Sequence, residues 1–208
     1  MPESLVQVTE GSGKLLHTFQ RTIGANTVED EVLITGENYL ASYICNLGNG
    51  GAAVSTATAN SHLVQVMAGA TLKVRVRRIE LWQSVMATTA AIGTIGIYRL
   101  TTAGTGGTVQ AVSALDTSDA AAGATCMSLP TAKGTETTPI AFGTVDWMQT
   151  VTASNPFAQP VFVLDFDRPR SKPLIIPAGA ANGIAVKCIT AVAAATVWVN
   201  VFIDESNF

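Results

Sequence analysis

Apolar and polar residues alternate most regularly near the C-terminal end of the chain. Every odd-numbered position from Val197 to Ile203 is apolar and β-branched, and the positions between them are Trp198, Asn200 and Phe202. A period of two is what a strand needs when one of its faces is buried in a sheet. Two earlier runs, VFVLDFD and PLIIPAGAANGIAVKC, are punctuated by Pro, Gly and Asn turn residues. The last third of the chain therefore predicts consecutive β-strands.

The strongest upstream strand contains a change of phase. In the strand predicted at 72–83, apolar residues occupy even positions as far as Val76 and odd positions from Ile79 onward. One extra residue in a strand produces such a slip, because the side chains that follow it change faces. The pattern predicts a β-bulge at Arg77 and Arg78.

The remaining sequence combines short strand-like segments with two stretches that do not alternate. Residues 1–30 are mixed in character and broken by Gly, which predicts an extended N-terminal arm in front of a domain at 31–208. Residues 101–144 are rich in Ala, Gly, Ser and Thr, which predicts a long loop of the kind that contacts a partner. About eight strands with long connections and no helix predict an all-β, jelly-roll-like antiparallel β-sandwich.

The scarcity of charge is the main compositional feature. Charged residues make up 13% of the 208 residues, roughly half of the usual share of about 25%, and the mean hydropathy is +0.34. A neutral but polar surface is one interpretation, and a subunit that covers much of its surface against neighbours is the other. The second is favoured, because many of the missing charges belong on exposed strand faces. We therefore expect a homo-oligomer.

Charge, cysteine content and hydropathy exclude several classes of protein. The formal net charge of −3 gives no long-range attraction to nucleic acid or to anionic lipid. The three cysteines are widely spaced and form no CxxC motif, which predicts reduced thiols in a protein made in the cytosol. The N-terminus lacks the pattern of a secretion signal, and the apolar stretch 189–203 is too short for a membrane helix. We expect no membrane segment.

No catalytic, metal-binding or cofactor motif stands out. The two histidines, His17 and His62, have no third ligand at a metal-site spacing, and are expected to be ordinary polar or packed residues. No GxSxG or Walker sequence occurs, and the glycines at 104–107 precede a strand-like segment instead of a helix, which predicts a hairpin turn. The sequence therefore predicts a protein that is not an enzyme and that has no cofactor.

Asp165 and Asp167 form the most suggestive carboxylate pair. Two residues apart in a strand, they project from one face, where they either pair with cations or bind a structural ion such as Ca²⁺. Arg168 and Arg170 follow directly, so ion pairing with them or with a neighbouring subunit is the simpler interpretation. Both interpretations place these four residues at an interface or on a charged surface.

Lys73, Arg75 and Arg77 form a basic stripe that points to one side of the predicted strand. A nucleic-acid site needs interleaved aromatic residues and more positive charge than this stripe has. We interpret the stripe as a solvated outer face, or as a contact with an acidic patch of another subunit. The tryptophans Trp82, Trp147 and Trp198 are expected to be core or interface anchors, with a sugar-stacking platform as the alternative.

Three stretches of the chain resemble virion proteins of tailed bacteriophages. These are RRIELWQS, IGIYRLTTAGTGGTVQAVSALDTSDAAAGAT and PLIIPAGAANGIAVKCITAVAAATVWVNVFIDE, and the resemblance covers roughly residues 63–205. Its most specific part is the GTGGT turn followed by LDTSDAAA. The family consists of small β-sandwich proteins from structural gene modules.

The resemblance implies a non-enzymatic capsid decoration (cement) protein or another minor subunit of the particle, often a trimer. Its partners would be further copies of itself and the major capsid protein or other virion proteins. It would be located in the virion and assembled in the host cytoplasm. A receptor-binding or glycan-binding module of a tail or fibre is the alternative.

Overall fold

A computed structural model describes residues 3–7, 15–23, 26–31, 40–47, 53–85, 91–147, 160–167, 173–193 and 195–206. Across these ranges the chain consists of strands, turns and bends, without a helix. Contacts between Cα atoms divide the chain into two compact units, Met1–Tyr39 and Leu40–Phe208.

The first unit contains a small antiparallel sheet. Strands β1 (Glu3–Gln7), β2 (Leu15–Ile23) and β3 (Asn26–Glu31) pair in the order β1-β2-β3. The sequence predicted an extended arm for 1–30, because its apolar and polar positions do not alternate. Pairing through backbone N–H and C=O groups does not require such alternation. A role as an arm stays a prediction, as does the boundary at residue 31.

The second unit contains all the other strands. They are β4 (Ala41–Leu47), β5 (Val54–Ser55), β6 (Ser61–Met67), β7 (Lys73–Val85), β8 (Ala91–Leu100), β9 (Thr108–Gln110), β10 (Val112–Ala114), β11 (Thr125–Ser128), β12 (Glu136–Trp147), β13 (Pro160–Asp165), β14 (Leu174–Ile176), β15 (Gly183–Cys188) and β16 (Thr196–Ser206). We call the sheet with order β10-β4-β16-β7-β13 the front sheet, in which β14 also pairs with β7 and β5 with β16. The back sheet has the order β12-β8-β15-β6-β11-β9.

The two sheets are antiparallel and pack face to face around one main apolar core. The predicted all-β sandwich is thus confirmed. The alternation in β16 also has the predicted consequence: its odd-numbered residues from Val197 to Ile203 are completely buried. Trp198 lies on the opposite, outer face and is 42% exposed.

The predicted bulge in β7 is present. Phe202 lies opposite Arg78, whereas the next residue of β16, Ile203, lies opposite Val76, so Arg77 is the extra residue. The core-facing positions of β7 accordingly change from even numbers as far as Val76 to odd numbers from Ile79 onward, and both of these residues are fully buried. Arg77 and Arg78 both remain exposed.

The segment 101–144, expected to be one long loop, contains strands β9, β10 and β11 and most of β12. That expectation was wrong in this respect. The first three strands are only three or four residues long, which is too short for an alternating pattern to be recognised. Pro139 and a register irregularity on each side of it interrupt the early part of β12.

Candidate functional site

The basic stripe and the acidic pair predicted from the sequence meet on the outer face of the front sheet. Arg77 donates hydrogen bonds to Asp167 Oδ2 from Nη2 (2.9 Å) and from Nε (3.2 Å), and Arg75 donates to Asp167 Oδ1. The hydrogen bonds from Arg77 to Asp167 raise the pKa of Arg77. The cationic partners of Asp167 thus come from β7. Arg168 and Arg170 lie outside the described residues.

Asp165 has a local role. Its Oδ1 atom accepts a hydrogen bond from the backbone N–H of Asp167 (2.8 Å), which shapes the chain at the end of β13. Both carboxylates line a depression of about 370 Å³ together with Arg77 and Asp204. Throughout the described ranges, no three His, Cys, Asp or Glu side chains are arranged to hold a metal ion. Within this cluster the carboxylates face guanidinium groups.

Two tryptophans lie side by side on the same outer face. Trp198 of β16 is the register partner of Trp82 of β7. Two residues further along β16, Asn200 is the register partner of Asn46 of β4. These four side chains line a shallow depression of about 310 Å³. The sequence had favoured core or interface anchors for the tryptophans. The pairing of Trp82 with Trp198 was not apparent, because it depends on the register of β16 against β7.

The outer face of the back sheet carries a buried polar network. His62 Nε2 lies 2.8 Å from Glu136 Oε1, and Gln65 Nε2 lies 2.5 Å from His62 Nδ1. Glu136 also accepts hydrogen bonds from Lys187 Nζ (2.8 Å) and Lys133 Nζ (3.2 Å). His62 is fully buried, as expected for a packed histidine. A second bulge, at Leu63, brings His62 and Gln65 to the same side of β6.

Loops cover this network. Segments 101–107 and 129–135 are bridged between Thr105 and Ala132, and the Gly104 N–H donates to Gln65 Oε1 (2.8 Å). A Cβ atom at Gly104 would lie 2.6 Å from the carbonyl oxygen of Ala132, so a side chain there would push the loop away. Residues 104–107 do not form the predicted hairpin turn, because β8 before them and β9 after them are not neighbours in the back sheet; they are part of the cover over it.

Burial and hydrogen bonding together set the protonation of the network. Burial alone would raise the pKa of Glu136, but hydrogen bonds from Lys187, His62 and Lys133 lower it to about 2. Burial lowers the pKa of His62, although the contact with Glu136 opposes this. A neutral imidazole that donates from Nε2 to Glu136 and accepts at Nδ1 from Gln65 satisfies all three groups. Both ring nitrogens of His62 have hydrogen-bond partners, so His62 and Glu136 together have a structural role.

The fourth feature is a shared edge of the two sheets. Among the described strands, β9 ends the back sheet and β10 ends the front sheet, and only Ala111 lies between them. Val109 is 75% exposed, and Leu115, directly after β10, is 58% exposed. The seven residues 108–114 include no charged side chain.

The thiols of Cys45, Cys126 and Cys188 are buried and form no disulfide.

The described residues form no helix with the length and apolar character needed to cross a bilayer. His17 lies in β2 and Trp147 in β12. Comparison with protein-family models, with curated proteins and with solved structures gave no match for this chain. The geometry of these three surfaces and the sequence are therefore the basis for inferring the function.

Proposed function

We propose that this chain is a non-enzymatic structural subunit of a tailed-phage particle, a capsid decoration (cement) protein that binds across the joints between major capsid subunits. The observation that carries the proposal is the shared edge formed by β9 and β10. Its outer sides have no partner among the described strands, and it carries exposed apolar side chains, which favours association with other protein chains.

Edge strands of a protein that stays monomeric are normally protected. Lys, Pro, inward-pointing charges or a covering segment prevent another chain from pairing with the exposed backbone. Residues 108–114, TVQAVSA, contain neither charge nor proline, and no described strand pairs with the outer side of β9 or β10. Such an edge suits a subunit that is completed by a neighbour.

The low charge of the whole chain supports the same proposal. Burial of apolar surface at an interface contributes about 25 cal/mol per Å² before the cost of ordering is subtracted. Val109 and Leu115 provide apolar area at the shared edge, and residues 108–114 contain no charged side chain that would have to be desolvated there. We expect three copies to associate through this edge, and the trimer to bind the capsid.

Sedimentation of the purified protein at micromolar concentration tests the proposal. We expect a trimer or larger assembly for the wild type, and a 21.6 kDa monomer for the double variant Val109→Lys, Leu115→Lys. The double variant Thr58→Lys, Ala59→Lys, which adds the same two charges in an exposed loop, is the matched control and should stay assembled. The wild type and the control should bind empty capsids of the parent phage, and the double variant Val109→Lys, Leu115→Lys should bind them weakly.

A wild-type protein that sediments as a monomer and does not bind empty capsids would overturn the proposal. Assembly of the double variant Val109→Lys, Leu115→Lys into the same trimer would exclude the shared edge as the interface. Circular dichroism of all variants establishes that the added charges have not unfolded the sandwich.

A further inference from the structure

The outer face of the front sheet carries two rows of side chains next to each other. The polar row runs across three strands, Asn46 on β4, Asn200 on β16 and Glu80 on β7, which are successive register partners. The aromatic row contains Trp198 on β16 and Trp82 on β7. The rows are two residues apart along each strand, a separation of about 7 Å.

Trp82 is held in place by its neighbours. Its Nε1–H donates to Glu80 Oε2 (2.9 Å), and Arg78 Nε donates to Glu80 Oε1 (2.7 Å). Glu80 is only 7% exposed, so its charge is both shielded and paired. The indole of Trp82 is therefore fixed on the sheet, while Trp198 beside it is 42% exposed.

The asparagines supply the polar recognition groups. Each amide offers two N–H donors and one carbonyl acceptor. Within the described part of the chain, no hydrogen-bond partner is found for the side-chain amide of Asn46 or of Asn200. Among the described residues, these two asparagines and the two tryptophans line the depression of about 310 Å³, and no charged side chain does.

We propose that this depression binds a neutral sugar unit of a glycan. A pyranose ring has one face of C–H groups, which packs against an indole, and an edge of hydroxyl groups, which both donate and accept hydrogen bonds. Trp198 and Trp82 provide the surface for the C–H face, and Asn46 and Asn200 provide the amides for neighbouring hydroxyls. The size of the depression, at the lower end of the range of small-molecule sites of about 300–1,000 Å³, suits one or two rings.

The chemistry of the lining selects this class of ligand over others. A nucleobase also stacks on indole rings, but its phosphates require cations, and none of the four lining residues is one. An anionic sugar has the same difficulty. The site and the shared edge use different side chains, because the four lining residues lie on β4, β16 and β7, whereas the exposed apolar residues of the edge are Val109 and Leu115.

Titration calorimetry and an array of glycans test this site. The probes are neutral hexose and N-acetylhexosamine oligosaccharides, with sialylated and sulfated glycans as a separate class. We expect the wild type to bind at least one neutral probe with a Kd of about 0.1–1 mM, as suits a shallow site. Trp198→Ala and Asn200→Ala should each weaken binding at least about tenfold.

Val163→Ala is the matched control, because Val163 is also exposed, at 40%, on β13 of the same sheet. It should bind like the wild type. Absence of binding to every neutral probe at about 10 mM would overturn the proposal. So would a Trp198→Ala variant that binds sugar normally, or one whose only defect is loss of assembly in sedimentation, which would assign the patch to a protein contact. The edge variants should retain sugar binding, which separates this test from that of the proposed function.

Discussion

The outer faces of the two sheets each place one carboxylate among several cationic side chains, but in different surroundings. On the open front face, Asp167 pairs with Arg75 and Arg77, and all three side chains are about one-third or more exposed. On the covered back face, Glu136 contacts the fully buried His62 and Lys187, which is 10% exposed. The difference is the cover formed by loops 101–107 and 129–135.

The comparison shows that access of water, more than the number of partners, determines what such a cluster contributes. Exposed ions exchange a protein partner for water at little cost, so exposed pairs contribute about 0–1 kcal/mol. A covered ion that loses its partner has no water to replace it. The back cluster, formed by His62, Glu136 and Lys187, is therefore expected to hold the loop cover on the sheet. The front cluster, formed by Arg75, Arg77 and Asp167, orders side chains on a solvated surface.

The largest expected effect comes from replacing each carboxylate by its amide. Glu136→Gln should lower the free energy of unfolding by about 2–3 kcal/mol, because the ammonium of Lys187 loses its counter-charge under the cover. Asp167→Asn is the matched change on the open face and should cost at most about 1 kcal/mol. Urea unfolding of both variants measures the difference. Equal costs would contradict the role assigned to the cover.

The pH dependence of stability should sharpen the same contrast. The pKa of Glu136 is lowered from 4.5 to about 2 in the folded protein, so the unfolded state takes up a proton first. Its stabilising contribution is complete above pH 4.5 and is lost as the pH falls toward 2. Because the pKa of His62 is lowered from 6.5, a further loss begins below that pH.

Thermal unfolding of wild type and Glu136→Gln between pH 7 and pH 2 separates the two contributions. The wild type should be more stable at neutral pH, and the gap between the two proteins should narrow as the pH falls below 4.5. A gap that stays constant over this range would mean that Glu136 is not ionised in the network. The Asp167→Asn variant provides the comparison from the open face.

The smallest expected effect is that of removing the basic stripe. Changing Lys73, Arg75 and Arg77 together to Gln should cost no more than about 1 kcal/mol, because both arginines pair with the exposed carboxylate of Asp167. The buried carboxylate of Asp204, which lies 3.7 Å from Arg77 Nη1, keeps its hydrogen bond from Ser42 Oγ in this variant. If the stripe also contacts an acidic neighbour, the triple variant should assemble more slowly and with weaker dependence on salt. Normal assembly at low and high salt would reduce the stripe to a solvated face.

Part of this organisation could be predicted from the sequence, because a strand with one buried face has apolar residues at every second position. The slip between Val76 and Ile79 was enough to predict the bulge in β7. The bulge in β6 was not predicted, because residues 62–67 are buried on both sides of the sheet and show no phase. Where both faces are covered, the pattern carries no information on register.

The back cluster and the tryptophan pair escaped prediction for a different reason. Glu136 lies in a Thr-rich stretch without alternation, and only the pairing of β12 with β8 places it in the same sheet as His62. Trp82 and Trp198 become neighbours through the register of β7 against β16. Contacts between strands distant in sequence depend on topology, which composition and periodicity do not determine.

The bulge at Arg77 also determines where β7 tolerates a change in length. Deleting Arg77 would leave Val76 and Ile79 separated by a single outward residue, so every apolar side chain of the strand would keep its face. Deleting Arg75 instead would move Val74 to the solvent side and turn Lys73 toward the core. In an alignment of related chains, a one-residue gap in β7 is therefore expected at the bulge before any other position.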